Sequence, residues 1–129
     1  MSKGKILVVD DEPEIVRSLT LRLGAAGYEV HSAMDGLGAT KKAIEVQPEL
    51  ILLDIGMPAG NGHVVVERLR NIGETSHIPI IYLTARTSDE DYRKARDGGV
   101  CKYITKPFDS EVLMAAIESE MERSVELTP

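Results

Sequence analysis

Short apolar runs alternate with amphipathic stretches five times along this chain, and that rhythm leaves few architectures open. Ile6–Val9 is unbroken apolar sequence. Glu29–Ala33 alternates in polarity. Glu49–Leu53 and Ile78–Leu83 are again dominated by apolar residues, and Tyr103–Ile104 is a brief fifth run. Between them lie stretches at helical spacing. The first starts at Pro13, which suits a first helical turn, carries Ile15, Val16, Leu19 and Leu23, and is closed by Gly24 and Gly27. The second runs from Asp35 to about Val46 and stops before Pro48. The third runs from Val64 to about Asn71 with Val65, Leu69 and Ile72 on one face. Ser88 is placed to cap a fourth through Asp97, closed by Gly98 and Gly99, and Asp109 or Ser110 to cap a fifth through about Arg123. The turn-rich stretch Gly56–Gly62 reads as a loop. Strands buried on both faces read as continuous apolar runs, so the pattern predicts an α/β chain with a parallel sheet covered on both sides by helices. With 129 residues it fits one domain, expected over 1–124, with a short tail at 125–129.

In open sheets of this kind, sites form beyond the carboxyl ends of the strands. Asp10 and Asp11 follow the first strand, Asp54 the third, Thr84 the fourth and Lys106 the fifth, so five polar residues distant in sequence are expected to converge. Three carboxylates gathered at strand ends repel one another unless a hard divalent cation, which prefers oxygen ligands, offsets the charge. A lysine is a point-charge donor suited to phosphate. A threonine hydroxyl donates to a phosphoryl oxygen. Together they match phosphoryl transfer, which depends mainly on positioning and charge stabilisation, with Asp54 as nucleophile. Ala85 is small enough to leave room for the group, and its backbone N–H is a further donor.

The acidic pair Asp10-Asp11, the segment Leu53-Asp54-Ile55-Gly56-Met57-Pro58, Leu83-Thr84-Ala85 and Thr105-Lys106-Pro107-Phe108 occur in order, each after its strand. In this the sequence resembles the response-regulator receiver domains of two-component signalling, single-domain chemotaxis receivers among them, over essentially its whole length. The resemblance implies a flavodoxin-like, doubly wound sheet with strand order 2-1-3-4-5 and five helices. It implies phosphorylation of Asp54, with Mg²⁺ (or Mn²⁺ as a substitute) ligated by Asp11, Asp54 and the Gly56 carbonyl, and by Asp10 through a water. Lys106, Thr84, Ala85 and Gly56 would surround the phosphoryl group, Thr84 and Tyr103 would form the switch, and the Lys106–Pro107 bond would be cis. The implied donors are a sensor histidine kinase or a histidine phosphotransfer protein. The implied output is a downstream protein, or a second copy of the chain, on the face of the fourth helix, fifth strand and fifth helix. Such a protein is not a classical enzyme; it catalyses its own phosphorylation and dephosphorylation. Gly56, where a larger side chain is usual, and Arg86, two residues past Thr84, depart from the commonest pattern and border the site.

Other readings compete. Asp11 or Glu12, before Pro13, is placed to cap the first helix. A receiver that no longer takes phosphate would serve as a docking module. A Mg²⁺ phosphohydrolase would carry Asp-x-Asp after the first strand, where this chain has Asp10-Asp11-Glu12-Pro13. A flavodoxin-like cofactor binder needs a Gly/Ser/Thr-rich loop there. The net charge of −6 and the lack of a basic stripe argue against direct nucleic-acid binding. No run is long and apolar enough to span a bilayer, the N-terminus lacks signal-peptide sections, and Cys101 stands alone, so a cytoplasmic, membrane-free protein is expected. His31, His63 and His77 show no ligand spacing and read as structural or exposed. Cys101 reads as a packing residue, and Glu118, Glu120 and Glu122 as a solvated helix face.

Overall fold

The computed structural model describes residues 2–57 and 62–126. Its elements are β1 (Lys5–Val9), α1 (Pro13–Ala25), β2 (Glu29–Ala33), α2 (Gly36–Val46), β3 (Leu50–Leu53), α3 (Gly62–Arg70), β4 (Ile80–Thr84), α4 (Asp89–Asp97), β5 (Lys102–Thr105) and α5 (Ser110–Glu126). Five parallel strands form one sheet in the order β2-β1-β3-β4-β5, as expected. Of the expected loop, residues 58–61, Gly60 among them, lie outside the described residues. Of the expected tail, α5 takes in 125 and 126, and 127–129 lie outside.

Successive residues of a strand point to opposite faces, and the core divides accordingly. Leu7, Val9, Ile51, Leu53, Ile80 and Tyr82 pack with Ala39, Ala43, Val65, Leu69 and Ala95 from α2, α3 and α4. Ile6, Val8, Leu50, Leu52, Ile81 and Leu83 pack with Leu19, Leu23, Leu113 and Ile117 from α1 and α5. This double burial is why β1, β3 and β4 carry no polar alternation. The edge strands differ: β2 and β5 are only partly buried, and their sequences are mixed.

Local chemistry sets the boundaries. Pro13 occupies the first turn of α1. The Asp35 carboxylate accepts from the Gly38 N–H at 2.7 Å, and Ser88 Oγ from the Asp91 N–H at 3.1 Å, capping α2 and α4. Gln47 closes α2 in the left-handed region at φ 53°. Helix α3 begins at Gly62, earlier than its apolar spacing suggests, and Gly62 lies against the Ile55 backbone where a Cβ would come within 2.6 Å. Strand β4 starts at Ile80 and not at Ile78, since Pro79 has no N–H to give the ladder.

Three expectations are corrected. Glu120 is buried, 5% exposed, with Arg123 Nη1 at 3.8 Å, so only its neighbours remain candidates for a solvated face. Cys101 is exposed instead of packed. The first helix has Glu12 at its N-cap position, but no side chain caps it.

The register carries the polar residues to one edge. Val9 pairs with Leu53, and the Asp54 N–H donates to the Val9 carbonyl, so Asp10 and Asp54 emerge side by side. Thr84 pairs with Thr105, and the Lys106 N–H donates to the Thr84 carbonyl.

Candidate functional site

The Lys106 ammonium sits among three carboxylates: 2.7 Å from Asp10 Oδ2, 3.0 Å from Asp54 Oδ2 and 3.0 Å from Glu12 Oε1. Asp10 and Asp54 are almost fully buried, with side chains 3% and 8% exposed, whereas Glu12 reaches in from solvent. The second oxygen of each buried acid is also engaged. Asp54 Oδ1 accepts from the Gly56 N–H at 2.8 Å, and Asp10 Oδ1 from the Glu12 N–H at 2.9 Å. The Lys106–Pro107 peptide bond is cis.

Charge balance here is uneven. Burial pushes the Asp10 carboxyl up, and the bonds it accepts from Lys106 and from the Glu12 backbone do not bring it back to the ordinary carboxylate range. Burial alone would pull the Lys106 ammonium down, but the bonds to Asp10, Asp54 and Glu12 outweigh it and hold the lysine above its ordinary value. The site therefore demands a positive charge.

One oxygen each from Asp10, Glu12 and Asp54 lies within 4.8 Å of the others, an all-oxygen set of the kind a hard divalent cation takes. The donor chemistry fits Mg²⁺, and the Lys106 ammonium already supplies one positive charge at that place. Asp11 is half-buried and lies outside this group of three.

Thr84 is fully buried at the end of β4, and its hydroxyl accepts from the Arg86 N–H at 3.2 Å. Ala85 beside it is exposed. Tyr103 is half-buried. Its hydroxyl donates to the Arg86 carbonyl, and its ring lies between Tyr82 and Tyr92, with centroids 5.6 and 4.2 Å away. Burial, with the Asp91 charge next, pushes the Tyr103 hydroxyl up to about 12. The fold thus brings Asp10, Asp54 and Lys106 into direct contact, with Thr84 and Tyr103 joined to each other through the Arg86 backbone.

Two groups of residues escaped the sequence reading. Glu12 stands with Asp11 only as an alternative cap for the first helix, yet its carboxylate turns to Lys106; the signal in the sequence is a third acid directly after the pair. The second is a polar cluster beside the site. The Asp91 carboxylate on α4 accepts from Arg86 Nη2 at 3.0 Å, Arg86 Nε at 3.3 Å and Ser88 Oγ at 2.8 Å. His63 Nε2 lies 2.9 Å from Asp91 Oδ1, and His63 Nδ1 2.9 Å from the fully buried Tyr82 hydroxyl. A carboxylate only accepts, so Nε2 carries a proton. Burial would raise Asp91, but bonds from His63 and Ser88 and the Arg86 charge bring it down to about 2. No spacing announces this cluster, because its members come from α3, β4, the β4–α4 loop and α4. Of the other histidines, His31 pairs with Glu29 at 2.7 Å and His77 is exposed.

Comparison with known proteins converges on one family. The response regulator receiver domain family matches residues 6–118. The chain is similar to the DNA-binding dual master transcriptional regulator RpaA of Synechocystis sp., 38% identical over 120 residues, which are 93% of this chain and 50% of the relative. It is similar also to the transcriptional regulatory protein KdpE of Mycobacterium tuberculosis, 38% identical over 119 residues, 92% of this chain and 51% of the relative. Among solved structures, the chemotaxis protein CheY4 of Vibrio cholerae superposes with a TM-score of 0.85 at 33% identity, covering 90% of this chain and 97% of that one. A CheY-like response regulator receiver domain protein from Methanospirillum hungatei gives a TM-score of 0.90 at 26% identity, over 95% and 96%. The chain spans about half the length of these curated relatives.

Proposed function

The chain belongs to the response regulator receiver domain family, and from that premise we propose that Asp54 accepts a phosphoryl group from a phosphohistidine donor in a Mg²⁺-dependent reaction and signals by a conformational switch. The observation that carries this reading is the buried Asp54 carboxylate sharing one ammonium with Asp10 and Glu12 at the carboxyl edge of the sheet.

In the proposed step an Asp54 carboxylate oxygen attacks phosphorus. An O–P bond forms, the donor's N–P bond breaks, and its electron pair returns to the imidazole nitrogen. The chain itself supplies the catalysis, and Lys106 neutralises charge gathering on the phosphoryl oxygens. When bound, Mg²⁺ supplies the rest of that neutralisation. Asp11, Asp54 and the Gly56 carbonyl would hold it, with Asp10 acting through water and Glu12 as a further oxygen donor. Thr84 and the Ala85 N–H would then hold the product's phosphoryl group.

Signalling follows from what Thr84 must give up. Its hydroxyl now serves the Arg86 N–H. Turning it to a phosphoryl group disturbs Arg86, whose carbonyl holds Tyr103. Phosphate would favour a second arrangement of this loop by its differential contacts. The output face would be α4, β5 and α5, where Tyr92 and Val112 are 43% and 58% exposed and available to a protein target or a second copy. Direct nucleic-acid binding is not proposed for this acidic stretch, and among the described residues no helix is long and apolar enough to cross a membrane. We place the receiver unit at 1–124 and its work in the cytoplasm, where kinases of this class deliver phosphate.

Phosphoramidate, a small donor with an N–P bond, tests the reading. The expected result is an acyl phosphate signal in ³¹P NMR that needs Mg²⁺ and is lost in Asp54→Asn. A folded, Mg²⁺-binding protein that gives no signal, and that also fails to take up beryllofluoride, would instead be a docking module.

A further inference from the structure

Asp91 Oδ1 serves two partners at once: His63 Nε2 at 2.9 Å and Arg86 Nη2 at 3.0 Å. Their situations differ. The His63 side chain is 9% exposed and that of Asp91 4%, whereas that of Arg86 is 46% exposed. Tyr82 encloses His63 from the other side, its hydroxyl 2.9 Å from Nδ1. Nε2 carries the proton given to Asp91, so in the neutral ring Nδ1 accepts from the Tyr82 O–H. Burial pushes the Tyr82 hydroxyl far above its ordinary range. Burial would raise Asp91 too, but its bonds from His63 and Ser88 and the Arg86 charge bring it down to about 2. Between pH 5 and 8 the tyrosine therefore keeps its proton and the aspartate its charge. Histidine is the member of this cluster whose ordinary titration falls in that range.

A proton on Nδ1 changes the balance. With the ring neutral, the Asp91 charge is matched by Arg86. With the ring charged, two cations meet one buried carboxylate, and Nδ1 turns from acceptor to donor, so the Tyr82 O–H must turn away. Arg86, half exposed, is the cation able to return to water. The other groups around the ring set no preference. A cavity of about 390 Å³ brings Glu67 and Arg70 from α3 and Lys94 and Asp97 from α4 beside His63, two charges of each sign. Tyr82 from β4 meets the ring edge-on, and Tyr103 from β5 lies behind Tyr82. The cavity also opens a route for the proton.

We infer that His63 is a proton-sensitive latch: when its ring takes a proton it claims the Asp91 carboxylate and releases Arg86, loosening the loop between β4 and α4. The backbone of that same arginine holds both switch residues, its N–H bonded to the Thr84 hydroxyl and its carbonyl to the Tyr103 hydroxyl. A freed side chain leaves that hold with one anchor fewer. The sign follows from linkage. The latched state binds the extra proton more weakly than the released state, so the latch is closed above the titration midpoint of the ring and opens as pH falls through it. The consequence for signalling rests on the receiver function proposed above: acid would loosen Thr84 and Tyr103 from their resting partner without any phosphoryl group. A purely structural histidine would stay neutral across this range and leave Arg86 in place.

An NMR titration of the unphosphorylated protein from pH 8 to pH 5 tests the latch, with His63→Phe to assign the ring signals. The His63 ring is expected to change charge within that range, and the Arg86 Nε–H and Tyr103 ring signals are expected to move with the same midpoint. Reciprocity gives the second arm. Arg86→Met keeps the stem and removes the competing cation, and is expected to raise the His63 midpoint by about 0.5–1 pH unit. A His63 ring that keeps one charge throughout would overturn the proposal. So would Arg86 or Tyr103 signals that stay still while His63 titrates, or a midpoint unchanged or lowered in Arg86→Met. Should Arg86→Met fail to fold, the wild-type titration decides alone. Neither arm uses phosphate, so failure of the protein to take a phosphoryl group would overturn the receiver function and not the latch.

Discussion

Replacing Lys106 with methionine removes the one positive charge that three carboxylates share, and its cost follows from the geometry. The ammonium lies 2.7 to 3.0 Å from oxygens of Asp10, Asp54 and Glu12. Without it, Asp10 and Asp54 remain buried with like charge beside them. Two unit charges about 4 Å apart interact by roughly 4 kcal/mol at the effective dielectric found near protein surfaces. Breaking a buried ion pair typically costs about 3–5 kcal/mol. Glu12 is exposed and relaxes into solvent, and one carboxyl is free to take up a proton, so the expected destabilisation of Lys106→Met is about 3 kcal/mol, the lower end of that range. Urea unfolding followed by far-UV circular dichroism, without Mg²⁺ at neutral pH, would show it as a midpoint lower by roughly 1–3 M for a slope of about 1–3 kcal/mol per M. Mg²⁺ should raise the midpoint of Lys106→Met more than that of the wild type, because a cation that binds only the folded state stabilises it. The pH dependence has a fixed sign. The folded-state lysine is held above its ordinary value, so its contribution is complete below about 10.4 and fades as pH rises past it. A variant as stable as the wild type without Mg²⁺, or a larger Mg²⁺ effect on the wild type, would refute the charge-compensation argument.

Other perturbations have equally definite outcomes. Asp91 is held at about 2, below its unfolded value, so it contributes stability above about pH 4 that is lost as pH falls toward 2; acid unfolding of Asp91→Asn should be flatter across that window. Gly62→Ala would drive a Cβ within 2.6 Å of Ile55 Cα and 3.0 Å of the Asp54 carbonyl, and should cost about 1–3 kcal/mol by thermal unfolding. Gly24→Ala, near the end of α1 with nothing within 4 Å, should stabilise by up to about 1 kcal/mol in the same assay.

Much of this was readable in the sequence, for reasons that are physical. Strands β1, β3 and β4 announce themselves because burial on both faces forbids polar residues along them, and β2 is weaker because it is an edge. Asp10, Asp54, Thr84 and Lys106 were findable because each directly follows or ends its strand, and parallel register brings strand ends together. Glu12 was missed because two local rules compete at its position. Its backbone does occupy the N-cap site, while its side chain answers a lysine far along the chain. The Tyr82–His63–Asp91–Arg86 cluster has no local rule at all. His63 finds its partners only because α3 starts against Ile55 and α4 packs beside it, and nothing in periodicity encodes that meeting. Glu120 fails in the same way: its neighbours in sequence place it on a polar face, yet the fold buries it.

The central claim is that Asp54 is a Mg²⁺-dependent phosphoacceptor, and peptide mass mapping tests it most directly. The protein would be incubated with acetyl phosphate and Mg²⁺, then digested, and the modified residue located. The account predicts one phosphoryl group per chain, on Asp54, absent with chelator and in Asp54→Asn. Phosphate found on another residue, or labelling that persists in Asp54→Asn, would contradict it.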